Sequence, residues 1–203
     1  MSIKYKKGET MSLEYQRYGR NKSTAINNAY INSGLFRRKF DKITKHDKIN
    51  KILYSKAKEM LKHRSGTLYE DMYWIDGDTG EVVASALDEQ TEEKIEYTKS
   101  IFKAINGKDN LVTMHTHPHS MPPSIADFNS CFKHNYAVCL VICHDGTIYS
   151  YTSAQRVPDD LYQLYVKEFR NNRNTKEDAE RNAQLAALTQ ISRNYKIHFQ
   201  EVE

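Results

Sequence analysis

The stretch "MHTHPHSMPPSIADF", residues 114–128, sets three histidines at alternate positions and follows them with prolines, a serine and an aspartate. Successive side chains of an extended segment point to opposite sides. His115 and His117 therefore emerge together, Thr116 points away, and both imidazoles can reach one ion. Pro118 then forces a turn. Ser124 with Asp127 three residues on reads as a helix N-cap followed by an acidic first turn, which by itself describes a polar loop entering a helix. A carboxylate one turn into that helix can also return to the histidines as a third ligand. Two nitrogens and one carboxylate oxygen leave a fourth tetrahedral position for water, the pattern of a catalytic rather than a structural zinc site.

Such a site needs a strand before it and a helix after it, and the flanking sequence supplies both. "LVTMH" is short, apolar and β-branched, which predicts a buried strand that delivers His115 at its end, and "SIADFNSCFKHN" predicts a helix. Upstream, "HDKINKILYSKAKEMLKH" spaces Ile49, Ile52, Leu53, Ala57, Met60 and Leu61 as an amphipathic helix that "RSG" ends. Residues 68–86 read as a hairpin through "GDTG", and "TEEKIEYTKSIFKAI" reads as a second helix with a threonine cap. Downstream, "YAVCLVICHDGTIYSYT" gives two strands joined at "HDG". The C-terminal third is helical with an interruption near Asn171 to Thr175, before a final strand "YKIHFQEV". Interleaved strands and helices without an internal repeat predict a single α/β layered fold.

The order His-x-His-Pro, then Ser-x-x-Asp, resembles the JAMM motif of the MPN+ (JAB-domain) zinc metalloproteases, with one residue fewer between the second His and the Ser than is usual in that family. The resemblance spans roughly residues 46–155. It implies an MPN/JAB-like, cytidine-deaminase-like mixed sheet flanked by helices, here with extra C-terminal helices. It also implies zinc as cofactor, His115, His117 and Asp127 as metal ligands, Ser124 as the group that stabilises the tetrahedral intermediate, and a glutamate from an earlier strand as general base. The implied reaction is hydrolysis of an amide in a protein or peptide substrate, with isopeptide conjugates of ubiquitin-like modifiers among the substrates.

The motif does not locate the glutamate by spacing. Glu70 is the physical choice: in "LYEDMYWID" it lies on the face of Leu68, Met72 and Trp74, where desolvation raises a carboxyl pKa toward that of a useful base, whereas Asp71 lies opposite. Glu81, beside a solvated turn, is second, and Glu59, in a helix among lysines, is third.

Composition narrows the alternatives. With 203 residues, 39% hydrophobic and 28% charged, the chain is long enough for one domain with a core. Its net charge of +4 is uneven, because residues 1–45 carry +8 and the remainder −4. Three divisions follow: a basic N-terminal extension over 1–45, a JAB/MPN-like domain over 46–155, and a C-terminal helical extension over 156–203 packed on it. The basic arm suggests nucleic acid as a partner, but it carries no aromatic-basic repeat. No run of about 18 apolar residues predicts a membrane span. Three cysteines without C-x-x-C spacing predict core thiols in a reducing, cytoplasmic setting. His119 is expected to be exposed, and His134, His144 and His198 to be ordinary polar residues. Two other functions stand beside the zinc amide hydrolase: a catalytically silent MPN-like scaffold, which loss of a ligand would mark, and a nucleic-acid-associated protein of a mobile element or DNA-processing system. A nuclease would favour an oxygen-rich magnesium site over a His-His-Asp set.

Overall fold

The computed structural model describes residues 24–88, 90–170 and 176–203. Two short helices open the described chain, α1 (Asn28–Ile31) and α2 (Gly34–Arg38). They are capped by Asn27 Oδ1, which accepts from Tyr30 N, and by Ser33 Oγ, which accepts from Phe36 N. Helix α3 (Asp47–Arg64) follows, burying Ile49, Leu53, Ala57, Met60 and Leu61 on one stripe. The expected hairpin forms as β1 (Met72–Asp76) and β2 (Val82–Ala86).

The expected second helix is only half present: α4 runs over Lys99–Ile105, capped by Thr98, whose Oγ1 accepts from Ile101 N at 3.3 Å. Residues 91–98 do not continue it. Glu92 bridges to Tyr69, Glu93 N donates to Leu68 O, and Glu93 sits at φ 52°, outside the helical region. These contacts hold the segment against the lead into β1.

The rest alternates: β3 (Leu111–His117), α5 (Ile125–His134), β4 (Val138–Cys143), β5 (Ile148–Ser153), α6 (Asp159–Phe169), α7 (Lys176–Ser192) and β6 (Ile197–Glu201). The interruption expected at Asn171 to Thr175 lies outside the described residues. The sheet has the order β2-β1-β3-β4-β5-β6, with β3 and β4 parallel and the other neighbours antiparallel. The fold is thus mixed α/β, a six-stranded mixed sheet flanked by helices.

Strand alternation divides the core into two layers. Tyr73, Ile75, Val112, Met114, Leu140 and Ile142 face α3 and the N-terminal helices. Met72, Trp74, Leu111, Cys139, Val141 and Cys143 face the layer of α4 to α7. Part of the stretch expected as a basic extension takes part in the first layer, since Tyr30, Ile31, Phe36 and Phe40 are buried there. The ring of Tyr30 lies so close to Gly146 that a Cβ there would fall 2.2 Å from it, and Gly146 also holds φ +86°, so the "HDG" turn requires its glycine twice over. No helix among the described residues is long and apolar enough to cross a membrane.

Candidate metal centre

The end of β3 builds the site. Its parallel neighbour β4 pairs His115 with Val141 and His117 with Cys143, which keeps the strand extended through His117, two residues beyond the expected end. Thr113, His115 and His117 therefore line one cavity of about 470 Å³, while Thr116 turns to the other face, where its Oγ1 accepts from Asp71 N at 3.0 Å. His115 Nε2 and His117 Nε2 lie 3.1 Å apart.

Asp127 reaches them from the first turn of α5. It is fixed by a capping box, in which Asp127 N donates to Ser124 Oγ at 3.2 Å, while Ser124 N and Ser124 Oγ donate to Asp127 Oδ2 at 2.7 and 2.8 Å. This leaves Oδ1 3.4 Å from His115 Nε2, and Oδ2 3.7 Å from His117 Nε2. The cap of Ser124-x-x-Asp127 thus aims the carboxylate at the histidines. The Ser124 hydroxyl proton is engaged by Asp127 in this arrangement.

Glu70 stands two residues before β1, outside the strand expected to carry it, yet on the same side as Met72. It is 7% exposed and makes no hydrogen bond among the described residues; its Oε1 lies 3.9 Å from His117 Nε2. The ligand atoms of Glu70, His115 and His117 all fall within 4.8 Å of one another. Glu81 is exposed at the start of β2, and Glu59 is bonded to Tyr73 on the opposite face, so neither approaches the histidines.

The donors fit a single ion. Metal–ligand bonds of about 2.0–2.1 Å in a tetrahedron place ligand atoms about 3.3–3.4 Å apart. The three His115, His117 and Asp127 separations, 3.1, 3.4 and 3.7 Å, bracket that value, and Glu70 stands just beyond it.

Protonation preferences differ across the set. Burial and the neighbouring His115 push His117 down to about 4, so its Nε2 carries a lone pair at neutral pH. Its Nδ1 must hold the proton, because the partner 3.0 Å away is the carbonyl oxygen of Met121, which can only accept. Burial opposes charge on His115, but the Asp127 carboxylate outweighs it and the net shift is upward. The same pairing overcomes burial at Asp127 and holds it well below the usual carboxylate range. Burial drives Glu70 up to about 8, helped by Asp127 and Glu93 and opposed by His115. His115 Nδ1 is buried without a hydrogen-bond partner among the described residues.

A second set of side chains, not anticipated from sequence, anchors the loop between His117 and Ser124. The Ser120 hydroxyl donates to buried Asp145, whose carboxylate also accepts from Thr147 N at 2.8 Å and Thr147 Oγ1 at 3.0 Å. From α7, Arg181 Nε donates to Ser120 O at 2.9 Å, and its Nη2 donates to the Tyr149 hydroxyl at 2.8 Å. The loop is thereby held from both sides, and with it the Met121 carbonyl that orients His117. A Ser in a Pro-rich loop and an Asp in "HDG" were the only local signals.

Among the other histidines, His119 is 31% exposed at the cavity mouth, 3.9 Å from Glu93. His144 differs from expectation: it is buried, its Nδ1 meets Thr24 O at 2.6 Å, and burial lowers its pKa to about 4. His134 stacks on Tyr97 and Tyr136. Cys131, Cys139 and Cys143 are free and buried. The chain matches no family model, no curated protein and no solved structure.

Proposed function

We propose that this protein is a zinc-dependent amide hydrolase, a peptidase or isopeptidase of the JAMM type on an MPN/JAB-like fold. The observation that carries the reading is the convergence of His115, His117 and Asp127 at tetrahedral separations, with the buried carboxyl of Glu70, free of hydrogen bonds among the described residues, beside them. Two imidazoles and one carboxylate favour zinc over the oxygen-rich coordination that magnesium prefers. A zinc ion bound there supplies Lewis acidity and a water made more acidic.

The protein residues supply the rest. Asp127 and the paired histidines hold the charge, and the Met121 carbonyl keeps the His117 tautomer that leaves Nε2 free. Glu70 accepts a proton from water and returns it to the leaving amine. Its upward shift to about 8 suits that task, because a neighbouring cation lowers the value toward neutrality and leaves a carboxylate poised near the working pH. Ser124 positions Asp127, and on release of that bond its hydroxyl is available to a developing oxyanion.

The test uses the full chain, stripped of metal and reconstituted with zinc, against peptides and isopeptide-linked ubiquitin-like conjugates. The reading predicts hydrolysis that depends on zinc and is lost in Glu70→Gln with metal retained. Hydrolysis undiminished in Glu70→Gln, or equal with and without zinc, would overturn it.

A further inference from the structure

The cavity at the metal centre opens along α5 rather than closing on itself. Tyr97, Ala126 and Ser130 line it and also line a neighbouring hollow of about 750 Å³, so the two share a wall on α5. Phe102, Lys133 and His134 in turn join this hollow to a third of about 510 Å³ beside α4. Along the way stand two of the few large apolar side chains left exposed, Phe102 at 41% and Phe132 at 43%. Four cations line these hollows: Lys103 and Lys108 the third, Arg156 the second, and Lys133 both. None of the four is in an ion pair among the described residues, and the lining contains one carboxylate, Asp159.

Exposed apolar side chains bordered by four cations outside ion pairs and a single carboxylate have the composition of a binding face, with the rings as anchors and the net positive charge selecting the partner. We propose that this surface docks an acidic polypeptide segment of the substrate, seats a large apolar side chain of it between Phe102 and Phe132, and leads the chain along α5 to the metal centre. The inference rests on the amide-hydrolase reading for its direction and adds the substrate class. A polypeptide is favoured over a nucleic acid because the face adjoins a centre read as cleaving amides, and an oligonucleotide, which could also stack on the exposed Phe102 and Phe132 rings, is the competing occupant that the test includes.

Binding is read by fluorescence anisotropy with the full chain and three labelled probes: a decapeptide of Asp and Glu around a central Phe, the same peptide with Asn and Gln, and a single-stranded oligonucleotide. The acidic peptide should bind at least about tenfold tighter than its amide counterpart and more weakly as salt rises. Lys133→Glu/Arg156→Glu should lose at least about tenfold of that affinity. Phe132→Ala removes no charge and alters an exposed side chain, so it carries the test even where the double variant misfolds; it should weaken binding by about threefold or more. Equal binding of the two peptides, an oligonucleotide bound more tightly than the acidic peptide, or wild-type affinity in Phe132→Ala would each overturn the proposal. Docking does not require metal, so the two readings fail separately. Hydrolysis without acidic preference leaves the enzyme and removes this face, whereas acidic binding without hydrolysis does the reverse.

Discussion

Glu70 and Asp71 are chain neighbours, both carboxylic acids and both buried, and the sheet separates their fates. Asp71 turns toward α3, where Arg64 Nε donates to it at 2.5 Å and His63 Nδ1 lies at 2.8 Å. Glu70 turns toward the histidines and finds no hydrogen bond among the described residues. Burial raises the pKa of each, but Asp71 is offset by its two bases, while Glu70 reaches about 8. A buried carboxylate answered by a guanidinium is a structural element. One that finds no hydrogen bond among the described residues, beside two histidines, is held ready for a proton.

Substituting each neighbour should break different properties. Glu70→Gln is expected to lower turnover by about a hundredfold to ten-thousandfold, since an amide cannot accept the proton, with zinc content unchanged. A variant retaining a third of wild-type turnover would move the base elsewhere. Asp71→Ala leaves Arg64 buried and unpaired, so chemical denaturation should show a loss of about 3–5 kcal/mol, while the folded fraction still binds zinc. A loss below about 1 kcal/mol would mean that the pair contributes little to the fold.

The pH dependence of stability sharpens the same contrast. A carboxyl whose pKa is higher folded than unfolded contributes stability that is fully present below the unfolded value and is lost as pH rises through the folded one. For Glu70 that window runs from its ordinary 4.5 to about 8. Urea unfolding of metal-stripped protein should therefore find Glu70→Gln gaining on wild type between pH 5 and pH 8, by several kcal/mol at most. A difference between the two that is flat across that range would place the carboxyl in a more solvated setting.

The smallest effect is expected at Ser124. Losing the cap in Ser124→Ala should cost about 1 kcal/mol and loosen Asp127, which zinc titration would register as a modest fall in affinity. A drop of about a hundredfold in turnover with zinc retained would add oxyanion donation to its role.

These contrasts were legible in the sequence where one short period governed the outcome. Alternation alone put His115 and His117 together and set Glu70 and Asp71 apart, and the Ser124-x-x-Asp127 spacing announced the capping box. Glu70 was still assigned to a strand that begins only at Met72. Long-range contacts overrode local pattern elsewhere. The apolar spacing of 91–105 reads as one helix, but the bonds of Glu92 and Glu93 to residues 68–69 claim its first half. Tyr30, Ile31 and Phe36 lie in two helices too short to show a clear period, and Phe40 follows the second, so their burial in the core was not legible. The link from Asp145 through Ser120 to Arg181 joins residues 25 and 61 positions apart, beyond the reach of any local signal.

The central claim is that His115, His117 and Asp127 hold one zinc ion with Glu70 beside it. Crystals of zinc-reconstituted protein, measured at the zinc absorption edge, test it most directly. The account predicts one anomalous peak per chain, about 2.0–2.2 Å from His115 Nε2, His117 Nε2 and an Asp127 carboxylate oxygen, and no such peak in Asp127→Ala. A peak at another position, or full zinc occupancy at this one in Asp127→Ala, would contradict it.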